Sequence, residues 1–150
     1  MIALIQRVTR ARVEVAERVV GEIERGVLAL IGVQRQDDRA SGERLLERIL
    51  SYRVFPDEAG RMNRSLRDVS GGLLLVSQFT LAADTRTGTR AGFTTAAAPE
   101  LARALFDHLV SCARVQHAPV ATGEFGAHMM ISLVNDGPVT FWLASSPASA

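Results

Sequence analysis

Two short stretches carry side chains able to do chemistry. Ser77, Gln78 and Thr80 follow directly on the apolar run Leu73 to Val76, with Phe79 among them. Ligand sites in mixed sheets form where a central strand ends and its last side chains and free backbone groups face a crevice. Two hydroxyls and an amide at that point fit a small polar site. Taken alone, they fit better a buried strand end whose hydroxyls cap nearby backbone. The second stretch, Asn135-Asp136-Gly137-Pro138, contains opposed signals. Asp-Gly between two apolar runs signals a tight hairpin, whereas Pro138 removes a backbone donor at the start of the outgoing strand. Gly137-Pro138 is therefore a candidate cis peptide, since only X-Pro bonds reach that isomer cheaply. A cis Gly-Pro can turn two successive carbonyl oxygens outward in one direction, as a rigid electronegative wedge with no side chain. A plain turn with trans proline is the alternative.

Composition narrows the chemistry. The 150 residues fit one domain, 1–150, and with 47% apolar and 22% charged residues the chain reads as soluble and globular. No apolar run reaches membrane-spanning length and no signal-peptide order opens the chain, so a cytoplasmic location is expected. Net charge is +1, which announces no long nucleic-acid footprint. All 17 basic residues are arginine, so Schiff-base and lysine-nucleophile chemistry is excluded. The single Cys112 cannot form an intrachain disulfide, and its helical surroundings indicate a packing role. One cysteine and three scattered histidines show no metal-ligand spacing, so neither a metal nor another cofactor is expected.

The elements that must position these groups follow in order. Residues 2–8 and 11–15 read as two strands, the second forming a hairpin with Val19 to Ile23. Val27 to Val33 is an apolar strand and the expected partner of the central one. Asp37 or Asp38 caps a helix from about Arg39 to Tyr52, whose stripe is Leu45, Leu46, Ile49 and Leu50. Arg61 to Asp68 is a polar connection without periodicity, and Gly71 to Leu81 holds the central strand. Ala82 to Ala98 is a long patternless loop, placed to cover the polar strand end. Pro99 starts a helix running to about Arg114, with Leu101, Leu105 and Leu109 on its buried face. A short strand at 118–122 precedes a closing hairpin, Met129 to Val134 and Val139 to Leu143. A frayed tail over 144–150 is expected. The fold class is mixed α/β, with a strongly curved, barrel-like sheet and helices packed on one side.

Together, Ser77-Gln78-Phe79-Thr80-Leu81 and Asn135-Asp136-Gly137-Pro138-Val139-Thr140 resemble the paired signatures of the D-aminoacyl-tRNA deacylases. The resemblance extends through Gln6-Arg7-Val8, Gly32-Val33, Tyr52-Arg53-Val54-Phe55 and Met62-Asn63 to Phe141-Trp142-Leu143. It implies a homodimeric editing enzyme that hydrolyses the ester joining a D-amino acid to the terminal adenosine of tRNA. The family also removes glycine from mischarged tRNA, particularly tRNA for alanine. Carried onto this chain, Ser77, Gln78, Phe79 and Thr80 line the pocket for the 3′ end. Gly137 and Pro138 of the partner subunit, with a cis bond, form the chiral filter. Such a filter rejects L side chains by lack of space and has nothing to reject in glycine.

For the chemical step, the resemblance implies help from the 2′-hydroxyl of the terminal ribose, with backbone amides at Phe79 or Thr80 stabilising the oxyanion. Thr80 as nucleophile lacks a partner base, since His108, His117 and His128 lie outside both motifs. Arg7 and Arg90 are candidates for phosphate or interface contacts. One departure stands out: in Gly88-Thr89-Arg90-Ala91-Gly92-Phe93 an alanine, Ala91, replaces the family's proline. A non-catalytic nucleic-acid- or nucleotide-binding dimer of the same fold is the other reading. A general serine or threonine esterase is a third.

Overall fold

The computed structural model describes residues 1–147. The first segment is one strand where two were expected: β1 runs unbroken over Ile2–Val15. It turns through Ala16 and Glu17, both at positive φ, into β2 (Arg18–Ile23), the expected hairpin. β3 (Gly26–Gly32) returns antiparallel along the first half of β1. Asp38, rather than Asp37, caps α1 (Arg39–Ser51); it accepts from the Ser41 amide, and the Ser41 hydroxyl accepts from the Asp38 amide. Such a cap stabilises a helix by about 1 kcal/mol. The buried Asp37 instead receives the Met1 ammonium at 2.5 Å and the Gln34 amide at 2.6 Å.

The stretch read as a patternless connection carries structure. β4 (Phe55–Pro56) pairs with β5 (Met62–Arg64), and Ser65 caps a single turn, α2 (Leu66–Val69). Pieces this short leave no periodicity to detect. β6 (Gly72–Ser77) then runs parallel to β3, the expected pairing. Beyond it lies α3 (Pro99–Gln116). Leu101 is 39% exposed rather than buried. Each four-residue step overshoots a full turn by about 40°, so Leu101 drifts off the face that Leu105 and Leu109 share with Ala102 and Phe106. β7 (Val120–Thr122) adds parallel to β6.

The expected closing hairpin does not form. β8 (Met130–Ala144) is one strand, antiparallel to β1 from Glu14↔Met130 to Ile2↔Ala144. An Asp-Gly hairpin would require the two halves of β8 to pair with each other. The long β1 offers both halves a partner instead. Between Gln6↔Thr140 and Val8↔Asn135, β1 advances two residues while β8 advances five, so the residues around Gly137-Pro138 bulge from the ladder. Nor is the tail frayed over its described part. Ala144 ends β8, the Ser145 amide donates to Met1 O at 2.9 Å, and its hydroxyl donates to Ser41 O at 2.7 Å. Residues 148–150 of that expected tail lie outside the described residues.

Strand alternation divides the core in two. Val8, Ala11, Val13, Ile23, Leu28, Leu74 and Val76 fill the inside of the curled sheet. The opposite face, with Val27, Ala29, Ile31, Leu73 and Leu75, packs against α1 and α3. Helices therefore cover one side, as expected. The sheet nearly closes where β2 meets β7: a Cβ on Gly21 would lie 2.2 Å from the Thr122 carbonyl oxygen. Among the described residues, no helix is long and apolar enough to cross a membrane.

Only a residue without a side chain permits that approach. Gly21→Ala should therefore destabilise the fold by about 1–3 kcal/mol, the range for overpacking, read as a lower urea midpoint. An unchanged midpoint would mean that the sheet does not close at this contact.

Candidate active site at the ends of the parallel strands

β3 and β6 are parallel, so their carboxyl ends open on the same side of the molecule. There the Gln78 amide donates to Ile31 O at 2.7 Å, and the chain leaves the sheet through a 3₁₀ turn, Phe79–Ala82. A cleft of about 450 Å³ lies at this point. Ser77, Gln78 and Phe79 form one wall, Pro99, Ala102 and Phe106 of α3 another, and the loop Phe125 to Met129 a third. Among the described residues its polar side chains are Ser77, Gln78 and His128, and no carboxylate or thiol lines it. A metal would find one imidazole there, less than a zinc or calcium site requires.

The cleft brings together three of the four expected strand-end residues. Thr80 sits exposed on the 3₁₀ turn outside the lining, and its hydroxyl accepts a short hydrogen bond from the Gln78 side-chain amide. Among the described residues, His108 contacts Glu43 and Cys112, while His117 contacts Gly71 O. Neither imidazole reaches Thr80. The Phe79 ring, 61% exposed, lies 5.2 Å from that of Phe93, which the long loop brings back over the strand end. Sequence reasoning did not find the loop Phe125 to Met129, and it set His128 aside as lying outside both motifs, whereas the fold brings that imidazole into the cleft lining. Gly123 and Gly126 mark a turn there, but nothing local says that it folds against β6.

Gly137 and Pro138 do not line the cleft of their own chain. The Gly137-Pro138 bond is cis, as is Ala118-Pro119. Asn135 clasps the bulge, its side-chain oxygen accepting from the Val139 amide at 2.8 Å and its amide donating to Thr140 Oγ1 at 3.0 Å. Arg7 holds the other flank: Nε donates to Asp136 O at 2.8 Å and a terminal nitrogen to Val54 O at 2.7 Å. A Cβ on Gly137 would meet the Val139 amide at 2.5 Å, so glycine alone fits that position. Arg7 thus braces the bulge, while Arg90 stands exposed in the long loop.

The chain matches known proteins over nearly its whole length. The profile of the D-Tyr-tRNA(Tyr) deacylase family matches residues 4–144. The chain belongs to this family. A D-aminoacyl-tRNA deacylase of Thioalkalivibrio sulfidiphilus (strain HL-EbGR7) is 69% identical over 98% of this chain and 99% of the relative. One of Alkalilimnicola ehrlichii (strain ATCC BAA-1101 / DSM 17681 / MLHE-1) is 65% identical over 100% of both chains. A solved structure named c-Myc DNA Unwinding Element Binding Protein superposes with a TM-score of 0.92 at 37% identity, over 99% of this chain and 100% of that one. A probable eukaryotic D-amino acid tRNA deacylase, at 15% identity and a TM-score of 0.84 over 95% of this chain and 97% of that one, shares the fold.

Membership in the deacylase family makes the chain a hydrolase of D-aminoacyl-tRNA. The loop that carries Ala91 is closed at its neck by backbone bonds, Asp84 N to Gly92 O at 2.7 Å and Gly92 N to Asp84 O at 3.0 Å. Arg86 completes the neck, with its guanidinium on the Asp84 carboxylate at 2.7 Å and its amide on the same group at 3.1 Å. The Arg86 side chain, then its amide, lower the Asp84 pKa from 3.8 to about 2. A depressed carboxylate stabilises the folded neck above its unfolded pKa, and the contribution is lost as pH falls through the folded value. The Asp84 carboxyl should therefore titrate near 2 by NMR, with the neck amides losing exchange protection between pH 3.8 and about 2. Arg86→Ala should return the midpoint toward 3.8; an unmoved midpoint would remove the ion pair from the account.

Proposed function

We propose that the cleft receives the aminoacylated 3′ end of tRNA, and that two copies of the chain complete each other's sites. The exposed Phe79–Phe93 ring pair at the cleft carries this reading, since aromatic faces are platforms for unpaired bases. Gly137 and Pro138 of one subunit enter the cleft of the other and act as the Gly-cisPro chiral filter. Their placement outside their own cleft supports a cross-subunit role. So does the apolar exposure of Met130, Val134 and Trp142 along the same strand, an area that a second copy would cover. Backbone oxygens close to the substrate α-carbon leave room for hydrogen alone, so an L side chain collides and a D side chain points away. Glycine passes, which extends the activity to glycyl-tRNA(Ala). The enzyme then acts in the cytoplasm, where translation supplies its substrates.

Catalysis needs no side-chain nucleophile. An aminoacyl ester is reactive enough for positioning, a held water and an oxyanion contact to suffice. Phe79 and Thr80 open the 3₁₀ turn, and the first amides of a helical turn lack intrahelical acceptors. These amides are the oxyanion donors, and the terminal 2′-hydroxyl of the tRNA orients the water. The hydrogen bond from Gln78 to the Thr80 hydroxyl supports a positioning role, rather than a nucleophilic one, for Thr80.

Deacylation of D-tyrosyl-, L-tyrosyl- and glycyl-tRNA tests the reading. Thr80→Ala should keep most of the D-tyrosyl rate, whereas a terminal 2′-deoxyadenosine should lower it by at least about 10²-fold, the acid–base range. Loss of activity in a folded Thr80→Ala dimer would restore the nucleophile. Arg7→Ala removes the brace on Asp136 and should narrow the ratio of D to L rates by about tenfold or more, since hydrogen bonds to a charged group contribute about 1.5–3 kcal/mol. An unchanged ratio would separate the bulge from selection.

The name borne by the 37%-identical solved structure favours a second reading, a nucleic-acid-binding dimer without turnover. Binding of aminoacyl-tRNA with no release of D-tyrosine or glycine would select it.

A further inference from the structure

We propose that Glu43, His108 and Cys112 form a zinc site that clasps α1 to α3, outside the cleft. His108 and Cys112 are four residues apart on α3, so they project from successive turns of one face. Glu43 reaches them from α1, 65 residues away in sequence. His108 Nε2 lies 2.8 Å from Glu43 Oε1 and 3.6 Å from Cys112 Sγ, and all three donor atoms fall within 4.8 Å of one another. Tetrahedral zinc, with bonds of about 2.3 Å to sulfur and 2.0–2.1 Å to nitrogen, holds sulfur and nitrogen about 3.5 Å apart and nitrogen and oxygen about 3.3 Å apart. The sulfur–nitrogen edge is already at that length. To meet the same geometry the Glu43 oxygen has to withdraw by about 0.5 Å from His108 Nε2 and settle about 3.5 Å from Cys112 Sγ. That second edge already lies within 4.8 Å, and the half-exposed Glu43 side chain is free to move.

Thiolate, imidazole and carboxylate together form a donor set suited to zinc rather than to magnesium or calcium. On binding, the Cys112 thiol releases its proton to solvent as the sulfur–zinc bond forms. The Nε2 proton that His108 shares with Glu43 leaves to solvent while Nδ1 keeps or takes up the proton of the neutral imidazole, so that the hydrogen bond is replaced by two bonds to the metal, and water takes the fourth position. The sequence reading expected no metal because it sought ligands in a run. The i, i+4 pair was present, and only the fold supplies the third donor.

Chelator-treated protein titrated with Co(II) tests the site. One Co(II) per chain should bind with a thiolate-to-cobalt charge-transfer absorption, which Zn(II) then displaces, and zinc should raise the Tm. Cys112→Ser should lose the absorption and the zinc-induced rise in Tm. Glu43→Gln, on a side chain that contributes nothing to the core, should keep the absorption with affinity weakened at least about tenfold. Metal-free variants should deacylate at the wild-type rate. Absence of the thiolate absorption in wild type, or a zinc-induced Tm rise that survives Cys112→Ser, would overturn the proposal.

Discussion

The length of β1 is the constraint from which the rest follows. Paired with β8 from Ile2 to Glu14, and with β3 and β2 in its two halves, it fixes the curvature of the sheet and leaves β8 no freedom to fold back. Extra residues in β8 then have one place to go. They leave the ladder between Gln6 and Val8, at a height set by the register. The position of the Gly137-Pro138 projection is thus a property of strand pairing, and Asn135 and Arg7 fix its shape.

The cleft is built from groups that carry almost no charge. Its polar side chains are a hydroxyl, an amide and an imidazole, and the remaining wall is apolar. Such a site holds a substrate by shape, by stacking and by backbone donors, with His128 the one ionisable side chain in its described lining. This suits a reaction in which the ester supplies the reactivity and the protein supplies orientation. It also suits exclusion as the basis of selectivity, because a rigid wall rejects any side chain of the wrong hand without recognising a particular one.

Much of this was legible before folding. The helices near 39–52 and 99–114 announced themselves through spacing, and the apolar runs at 27–33 and 73–76 through being buried on both faces. The strand-end residues Ser77, Gln78 and Phe79 were found because polarity changes abruptly after Val76. Features set by a distant partner were not legible. Asp136-Gly137 carries a sound local hairpin signal, but the length of β1 overrides it. The walls at Phe125 to Met129 and at Ala102 and Phe106 come together only when β7 and α3 pack against β6. Leu101 was misplaced because spacing by four residues drifts around the helix.

The inside of the curled sheet is filled with Val8, Val13, Leu28, Leu74 and Val76, so nothing can be lodged in its middle. All variation in what the molecule accepts must therefore arise at the rim, in segments such as 82–98 and 123–129 that leave the sheet and rejoin it. Lengthening such an excursion is cheap, about 0.6 kcal/mol for each doubling, while the plugged interior is untouched. The architecture behaves as a solid hub with a replaceable collar: new substrates are admitted by recutting the edge, and the hub has no reason to change.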